Sequence, residues 1–543
     1  MDNIEIVNTE YGKVKGIYKI SALGTDYVSF QGIPYMKAPL GKLRFKDAQV
    51  PEKWDHILDA TEDSPSYCAF NLITREKEGQ ENAGTICVYT KNVKPEKFYP
   101  VLIWIHGGSF MRGSCKTDVY GPDYFMEKDI ILVTLNYRLG AIGFLSLDDE
   151  SLNVPGNAGL KDQLFALKFI KRNIENFGGD SNNITLFGES AGGQSVHLLS
   201  ISEQSKGLFN RAIIMSGTAF NKSWCFKMPR KMCRKFNDKL ARKLGWNGKF
   251  GDEKSLLEFL ENASACEIVD ETNLILSNED EFEHGILLPF GPIIEPYKSK
   301  NCLIFKDPIE MARDSWSNEI DIIFSGTSFE GIFKANVKDE VAFYYLQDPA
   351  YFTPLIDLDL QVTDPITQEY GQRIKNLYYQ PDEMPSIENQ EAYLRYCSDF
   401  IFWHGIYRAV QSRLEFSKAK TFLLRFNVDG KLNLYKSLKK SEKYKGACHA
   451  DDLFYLFKTI HLDVPEKDSN EFKSIERMIG IFTNFAATGD PNYDDCKFSP
   501  QSNINDLKCT EITEKDVKEI DLPELKTLKV WDSIYKDHDV PLF

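Results

Sequence analysis

No Cys-x-x-Cys pair occurs anywhere in the 543 residues, and the eleven cysteines fall at irregular spacings. A structural zinc site needs ligands paired at short range, and a disulfide framework uses an even, regular set, so neither organises this chain. Long apolar runs are missing as well. Those present, such as Val101 to Ile105, have strand length, far short of the roughly eighteen residues of a membrane span. The opening MDNIEIVNTEYGKVKG has neither a basic n-region nor an apolar h-region, and the closing Val540-Pro-Leu-Phe543 is neither a prenylation box nor a retention signal. With the cysteines expected to stay reduced, the expected address is the cytoplasm.

Positive charge is also in short supply. Lys+Arg number 65 against 80 Asp+Glu, a net charge of −15, which argues against nucleic acid or an anionic membrane as partner. Internal repeats, low-complexity tracts and Pro/Gly/Ser-rich linkers are absent, so residues 1–543 are expected to form one domain, and the oligomeric state is left open. Three Asn-x-Ser/Thr sequons, at Asn183, Asn221 and Asn262, are a pattern common by chance in so long a chain.

What is present is an alternation of short apolar runs, Gly-rich turns and amphipathic stretches, the pattern of an α/β fold with a large, mostly parallel sheet flanked by helices. Val101-Leu-Ile-Trp-Ile105 and Ile130-Ile-Leu-Val-Thr-Leu135 are apolar throughout, as central parallel strands are. From Asp162 the spacing turns helical, with Leu164, Leu167, Ile170, Ile174 and Phe177 on one stripe that Gly178-Gly179 ends. Strands are expected at Ile184–Phe187, Ile320–Phe324 and Thr421–Phe426, and a helix at Phe472–Phe485 with Gly489 and Pro491 beyond it. The stretch from about 225 to 315 is mixed and helix-rich, and reads as a cap over the sheet.

The Ile184–Phe187 run leads straight into Gly188-Glu-Ser-Ala-Gly192, a match to G-x-S-x-G. Alone, this pattern also serves as a tight structural turn. Between a strand and a helix-compatible segment it fits a nucleophile elbow, where a sharp turn exposes a serine hydroxyl and aims a helix N-terminus at the reaction centre. His106-Gly-Gly-Ser109 follows the strand ending at Ile105, and glycines let backbone N–H groups approach a developing oxyanion. Paired with the N–H of Ala191, this loop can supply the donors.

Eight histidines limit the choice of base. His449, in the polar loop Gly446-Ala-Cys-His-Ala-Asp-Asp452, is favoured, because the base follows the nucleophile at a distance in this arrangement. His404, among Ile401, Phe402 and Trp403, fits a packed core, and His461 and His538 lie in charged surroundings. Glu330, in the loop Ser325-Gly-Thr-Ser-Phe-Glu-Gly331 after a strand, is placed to accept the Nδ1 proton of the base. On spacing alone, other acidic residues compete with it.

Together these segments closely resemble the type-B carboxylesterase and cholinesterase family, nearly from end to end. The resemblance runs through Tyr11–Gly16, Phe30–Tyr35, Leu43–Phe45, Asn136-Tyr-Arg-Leu-Gly140, Gly156–Gln163, Phe177-Gly-Gly-Asp180, the elbow, Gly326–Gly331, His449-Ala-Asp-Asp452 and Phe485–Pro491. It implies an α/β-hydrolase fold with helical insertions over the active site and a triad of Ser190, Glu330 and His449. The implied oxyanion hole is Gly108, Ser109 and Ala191, and neither metal nor organic cofactor is implied. The expected activity is hydrolysis of small to medium carboxyl esters through an acyl-enzyme. Within the family, Tyr120–Phe125 and the absent leader are most similar to insect α-esterases, associated with xenobiotic and lipid-ester hydrolysis, so a detoxifying role is expected.

Three departures from the family stand out. Ser109 replaces the usual third glycine, so its Cβ is expected to twist the loop or narrow the acyl side. Cys68 matches one half of a family disulfide whose partner position is Ala83, which leaves two free thiols or a Cys68–Cys87 bridge as alternatives. No tryptophan lies between Cys68 and Cys87, where cholinesterases bind a quaternary ammonium by cation–π attraction, so choline esters are not expected. Cys448 is expected to be a buried, inert thiol, and Asp451 and Asp452 to support the loop. The rival reading is a slow esterase that scavenges ester-like compounds because Ser109 impairs deacylation. A non-catalytic adhesion relative is disfavoured, since the serine is kept.

Overall fold

The computed structural model describes residues 4–221, 228–335 and 340–543. Its main sheet has twelve strands in one continuous path. In chain order these are β1 (Ile4–Asn8), β2 (Lys13–Ile20), β3 (Asp26–Pro34), β4 (Thr85–Thr90), β5 (Tyr99–Ile105) and β6 (Ile131–Leu135). They continue as β7 (Gly179–Glu189), β8 (Arg211–Met215), β9 (Ile322–Thr327), β10 (Thr421–Phe426), β11 (Lys508–Ile512) and β12 (Val517–Asp521). The spatial order is β1-β2-β3-β4-β6-β5-β7-β8-β9-β10-β11-β12, with the short strand Ile57–Asp59 added beside β2.

From β6 to β11 every pairing is parallel. The central runs Val101–Ile105, Ile131–Val133, Ile184–Phe187 and Phe422–Leu424 are largely apolar and buried, as strands covered on both faces by crossover helices are. The N-terminal end differs from the sequence pattern: β1 to β4 pair antiparallel, as does β4 with β6. Exposure alternates along β2, as expected at an edge with one wet face.

The helical stripe from Asp162 belongs to a helix spanning Ala158–Asn173, continued by a tighter turn, Ile174–Phe177, and ended at Gly178 with φ 88°. Its N-terminal turn holds Asp162 against Arg138, both fully buried, through Nε–Oδ2 at 2.7 Å and Nη2–Oδ1 at 2.6 Å. Two family segments that lie apart in the chain thus meet under the site. The expected strand at 320–324 starts and ends later, at Ile322–Thr327, and the helix expected at 472–485 extends to Asn470–Thr488.

The segment between β8 and β9 carries the helices Arg230–Lys243, Glu253–Asn262, Ala265–Thr272, Asn278–Phe282 and Pro308–Arg313, with an irregular stretch at 283–307; residues 225–227 of the expected cap lie outside the described residues. A second helical insertion, between β9 and β10, contains Ile366–Tyr378, Gln390–Ser398 and His404–Phe416, with a π-helical turn at Asp399–Trp403. No helix among the described residues is long and apolar enough to cross a membrane.

Candidate active site

β7 ends at Glu189, and a helix begins at Ala191. Ser190 between them has φ 58° and ψ −122°, a conformation that L-residues adopt only under constraint. The constraint is steric. A Cβ on Gly192 would lie 2.0 Å from the carbonyl oxygen of Ile105, and one on Gly188 would lie 2.6 Å from the Gly192 backbone. Only glycines let the helix pack this tightly on β5 and β7, and that packing pushes Ser190 out of the turn. The Ser190 N–H donates to Met215 O at 2.9 Å, fixing the turn to β8.

The loop after β5 is held from below. His106 is buried and stacked on Tyr137 at 4.5 Å between centroids, and the Tyr137 hydroxyl donates to His106 O at 2.9 Å. Burial pushes the His106 imidazole down to about 4, so at neutral pH it is a neutral ring whose Nδ1–H donates to Gly107 O at 2.8 Å. Gly108 and Ser109 follow with φ 110° and 56°. Ser109 therefore occupies the left-handed region that a glycine would use. Its side chain lines the cavity above Ser190.

Glu330 and His449 come from loops after β9 and β10, which are stitched together. Phe329 N–H donates to Ala447 O at 3.0 Å, and Ala447 N–H donates to Ser328 Oγ at 2.9 Å. This brings His449 Nδ1 to 2.7 Å from Glu330 Oε2 and His449 Nε2 to 2.9 Å from Ser190 Oγ. Glu330 is fully buried, and its other oxygen accepts the Ser216 hydroxyl at 2.5 Å and the Thr327 N–H at 2.7 Å. Those donors satisfy the carboxylate where solvent cannot. The ring of Phe402 lies 4.3 Å from that of His449 and limits its tilt.

Two more carboxyls surround the imidazole. Glu189 Oε1 is 3.1 Å from His449 Nε2, and Asp452 is buried with neither oxygen hydrogen-bonded among the described residues. Burial first, then the nearby Glu330 and, for Asp452, Glu189 as well, push both above the usual carboxylate range. Asp452 thus differs from the expected loop support. Asp451 does support it, accepting the N–H groups of Cys448 at 2.8 Å and Lys436 at 3.2 Å. Cys448 is buried, and burial pushes its thiol well up, away from reactivity.

The cavity above Ser190 has two lobes that share Ser109, Ser190, Phe333 and His449. One, of about 180 Å³, is lined by Leu287, Leu288, Ile401 and Phe402. The other, of about 240 Å³, is lined by Leu72, Tyr120, Glu189, Tyr435 and three cations. His404 is buried outside it, paired with Asp532 at 3.1 Å. The Cys68–Cys87 alternative fails: Cys68 Sγ lies 3.1 Å from Cys266 Sγ and Cys87 Sγ 3.7 Å from Cys115 Sγ, all as free thiols.

This geometry coincides with a family match along almost the whole chain. The carboxylesterase family model matches residues 3–531. The chain belongs to the carboxylesterase family. It is 38% identical over 544 residues to Esterase B1 of Culex pipiens, covering 98% of both chains. It is 32% identical to juvenile hormone esterase of Tribolium castaneum, covering 92% of this chain and 85% of that one. Among solved structures, juvenile hormone esterase from Manduca sexta, with OTFP covalently attached, superposes with a TM-score of 0.86 at 28% identity, covering 98% and 100% of the two chains. The carboxylesterase is therefore a carboxylic ester hydrolase with the α/β-hydrolase fold.

Several residues of the site gave no sign in the sequence. Ser216 lies beyond β8 in an ordinary Met-Ser-Gly turn. Ile401 and Phe402 read as core, and only the π-helical turn faces them into the cavity. Glu189 was visible only as a variable position of the elbow.

Proposed function

We propose that Ser190, His449 and Glu330 are the catalytic triad, with the N–H groups of Gly108, Ser109 and Ala191 as the oxyanion hole. The observation that carries this reading is the unbroken relay at 2.7 and 2.9 Å through His449. Ser190 Oγ attacks the ester carbonyl while His449 Nε2 takes its proton. Nδ1–H stays on Glu330, whose charge stabilises the imidazolium. The carbonyl oxygen becomes an anion between the glycine loop and the first N–H of the helix at Ala191, which has no acceptor within its helix. His449 then protonates the leaving alcohol, and water, activated the same way, releases the acid.

The substrates are small to medium carboxyl esters, xenobiotic or lipid-derived, with the acyl part in the apolar lobe. The apolar lining and the names of the insect relatives support this reading. Ser190→Ala should lower kcat by about 10⁶-fold and abolish labelling by a fluorophosphonate. A labelled variant with unchanged turnover would refute the assignment. An acyl-chain series of p-nitrophenyl esters then defines the length the apolar lobe accepts.

Ser109 supports a second reading, a slow esterase that retains ester-like or organophosphate compounds. Pre-steady-state kinetics separates the two. One stoichiometric burst followed by near silence identifies the scavenger, and continued linear turnover the esterase.

A further inference from the structure

The larger lobe carries Arg75, Arg112 and Lys439 in a protein whose net charge is −15. The three come from separate parts of the chain: the loop after Ala69–Phe70, the loop after β5, and the end of the helix Leu434–Leu438. They converge on one cavity with Ser190 and His449. No ion pair among the described residues uses Arg75 or Arg112, and the Arg112 guanidinium donates to a neutral oxygen, Asn273 Oδ1, at 3.5 Å. By contrast, Lys334 in the apolar lobe is neutralised by Glu281 at 3.2 Å.

The cations work against one another. Arg75 pushes the Arg112 guanidinium down, and Arg75, Lys334 and Arg112 all push the Lys439 ammonium down, in each case after burial. Glu189 is the one carboxyl lining this lobe among the described residues, against three cationic side chains. Like charges gathered in a concave, partly dry site create a field that focuses on an incoming anion.

The lobe also has a direction. With the acyl part assigned above to the apolar lobe of Leu287, Leu288, Ile401 and Phe402, the other lobe sharing Ser190 and His449 is left for the alcohol. We propose that the Arg75–Arg112–Lys439 lobe receives the alcohol part of the ester and selects alcohols that carry a negative charge. The chemistry is unchanged. The acyl carbon–oxygen bond breaks, the proton on Nε2 goes to the leaving oxygen, and the anionic group stays beside the three cations. The proposal rests on the triad assigned above.

The test uses two acetate esters of matched shape, 4-acetoxybenzoate and 4-acetoxybenzamide, each corrected for its uncatalysed hydroxide rate. The expected kcat/KM ratio favours the carboxylate by about tenfold at low salt. It should shrink toward one in Arg112→Gln and Lys439→Gln and recover in Lys439→Arg. Raising ionic strength from ~0.01 to ~0.15 M should also shrink it, as the Debye length contracts from about 30 to about 8 Å. Fluorophosphonate titration counts active Ser190 in each preparation. A labelled, active enzyme with a ratio at or below one, or a ratio the Gln variants leave unaltered, overturns charge selection alone. So does a preference that instead follows acyl charge, read from 4-nitrophenyl hemisuccinate against 4-nitrophenyl butyrate. No label and no hydrolysis of either ester overturns the triad and this proposal with it.

Discussion

Ser216 Oγ donates to Glu330 Oε1 at 2.5 Å, on the carboxylate oxygen that His449 leaves unused. A buried carboxylate with one oxygen on an imidazole needs donors on the other, and Ser216 and the Thr327 N–H supply them. Ser216→Ala removes one, and a hydrogen bond to a charged group contributes about 1.5–3 kcal/mol. The charge matters most when His449 is protonated in the transition state. Ser216→Ala should therefore lower kcat on a short aryl ester by about tenfold, with KM nearly constant. A kcat within twofold of the parent would show that Ser216 only fills space.

At Ser109 the backbone has φ 56°, so it already adopts the conformation of the glycine it replaces. That conformation costs a non-glycine residue about 1–2 kcal/mol. What remains is a CH₂OH group lining both lobes. Ser109→Gly should raise turnover on a short aryl ester several-fold, well below the roughly 10²- to 10³-fold worth of a whole oxyanion donor. Unchanged or lower turnover would mean that the hydroxymethyl group does not obstruct the acyl-enzyme.

Much of this site could be read in the sequence because its chemistry sits in contiguous motifs. The elbow at 188–192 needs glycines where a Cβ would strike Ile105, and the glycine loop needs positive φ, so both leave a residue signature. The parallel strands β5, β6, β7, β9 and β10 were legible through their apolar runs, whereas the short β8 and the mixed Lys-Cys-Thr-Glu-Ile of β11 were not. The antiparallel meander of β1 to β4 was not legible either, since the half-exposed β1 and β2, with Ile4 and Ile6 at the surface, and the polar residues within the buried β3 and β4 break that pattern. Ser216, Phe402 and the cations at 75, 112 and 439 reach the site through tertiary packing of separate loops, and no local spacing encodes such a meeting. The expected loop role of Asp452 was misplaced for a related reason, because burial beside Glu189 and Glu330 depends on the fold and not on the neighbouring residues.

The Arg138–Asp162 pair holds the segment after β6 against the helix beneath the elbow. With both side chains fully buried, Asp162→Asn leaves a guanidinium without a countercharge, which should cost about 3–5 kcal/mol. Urea unfolding followed by tryptophan fluorescence reads this as a lower midpoint with an unchanged slope. The double variant Arg138→Met with Asp162→Leu, which removes both charges, should recover most of the loss. A loss below 1 kcal/mol in the single variant, on the order of an exposed pair, would mean that the interior there is wet.

His197 gives the protein an acid-sensitive point away from the reacting atoms. Its Nδ1 accepts the Ala219 N–H at 3.1 Å, so Nε2 carries the proton of a neutral ring. Burial, followed by the charge of Arg413, pushes the imidazole down to about 3 from 6.5. The unfolded chain therefore binds more protons than the folded one between about pH 6.5 and 3. The His197 contribution is complete above 6.5 and is lost as pH falls through that window, at up to about 1.4 kcal/mol per pH unit. In His197→Asn the amide oxygen can still accept the Ala219 N–H, but the group no longer titrates. Urea midpoints at pH 7 and pH 5 should therefore lie closer together in the variant than in the parent. An equal spacing in both would show that other groups carry the acid sensitivity and that His197 is protonated without cost.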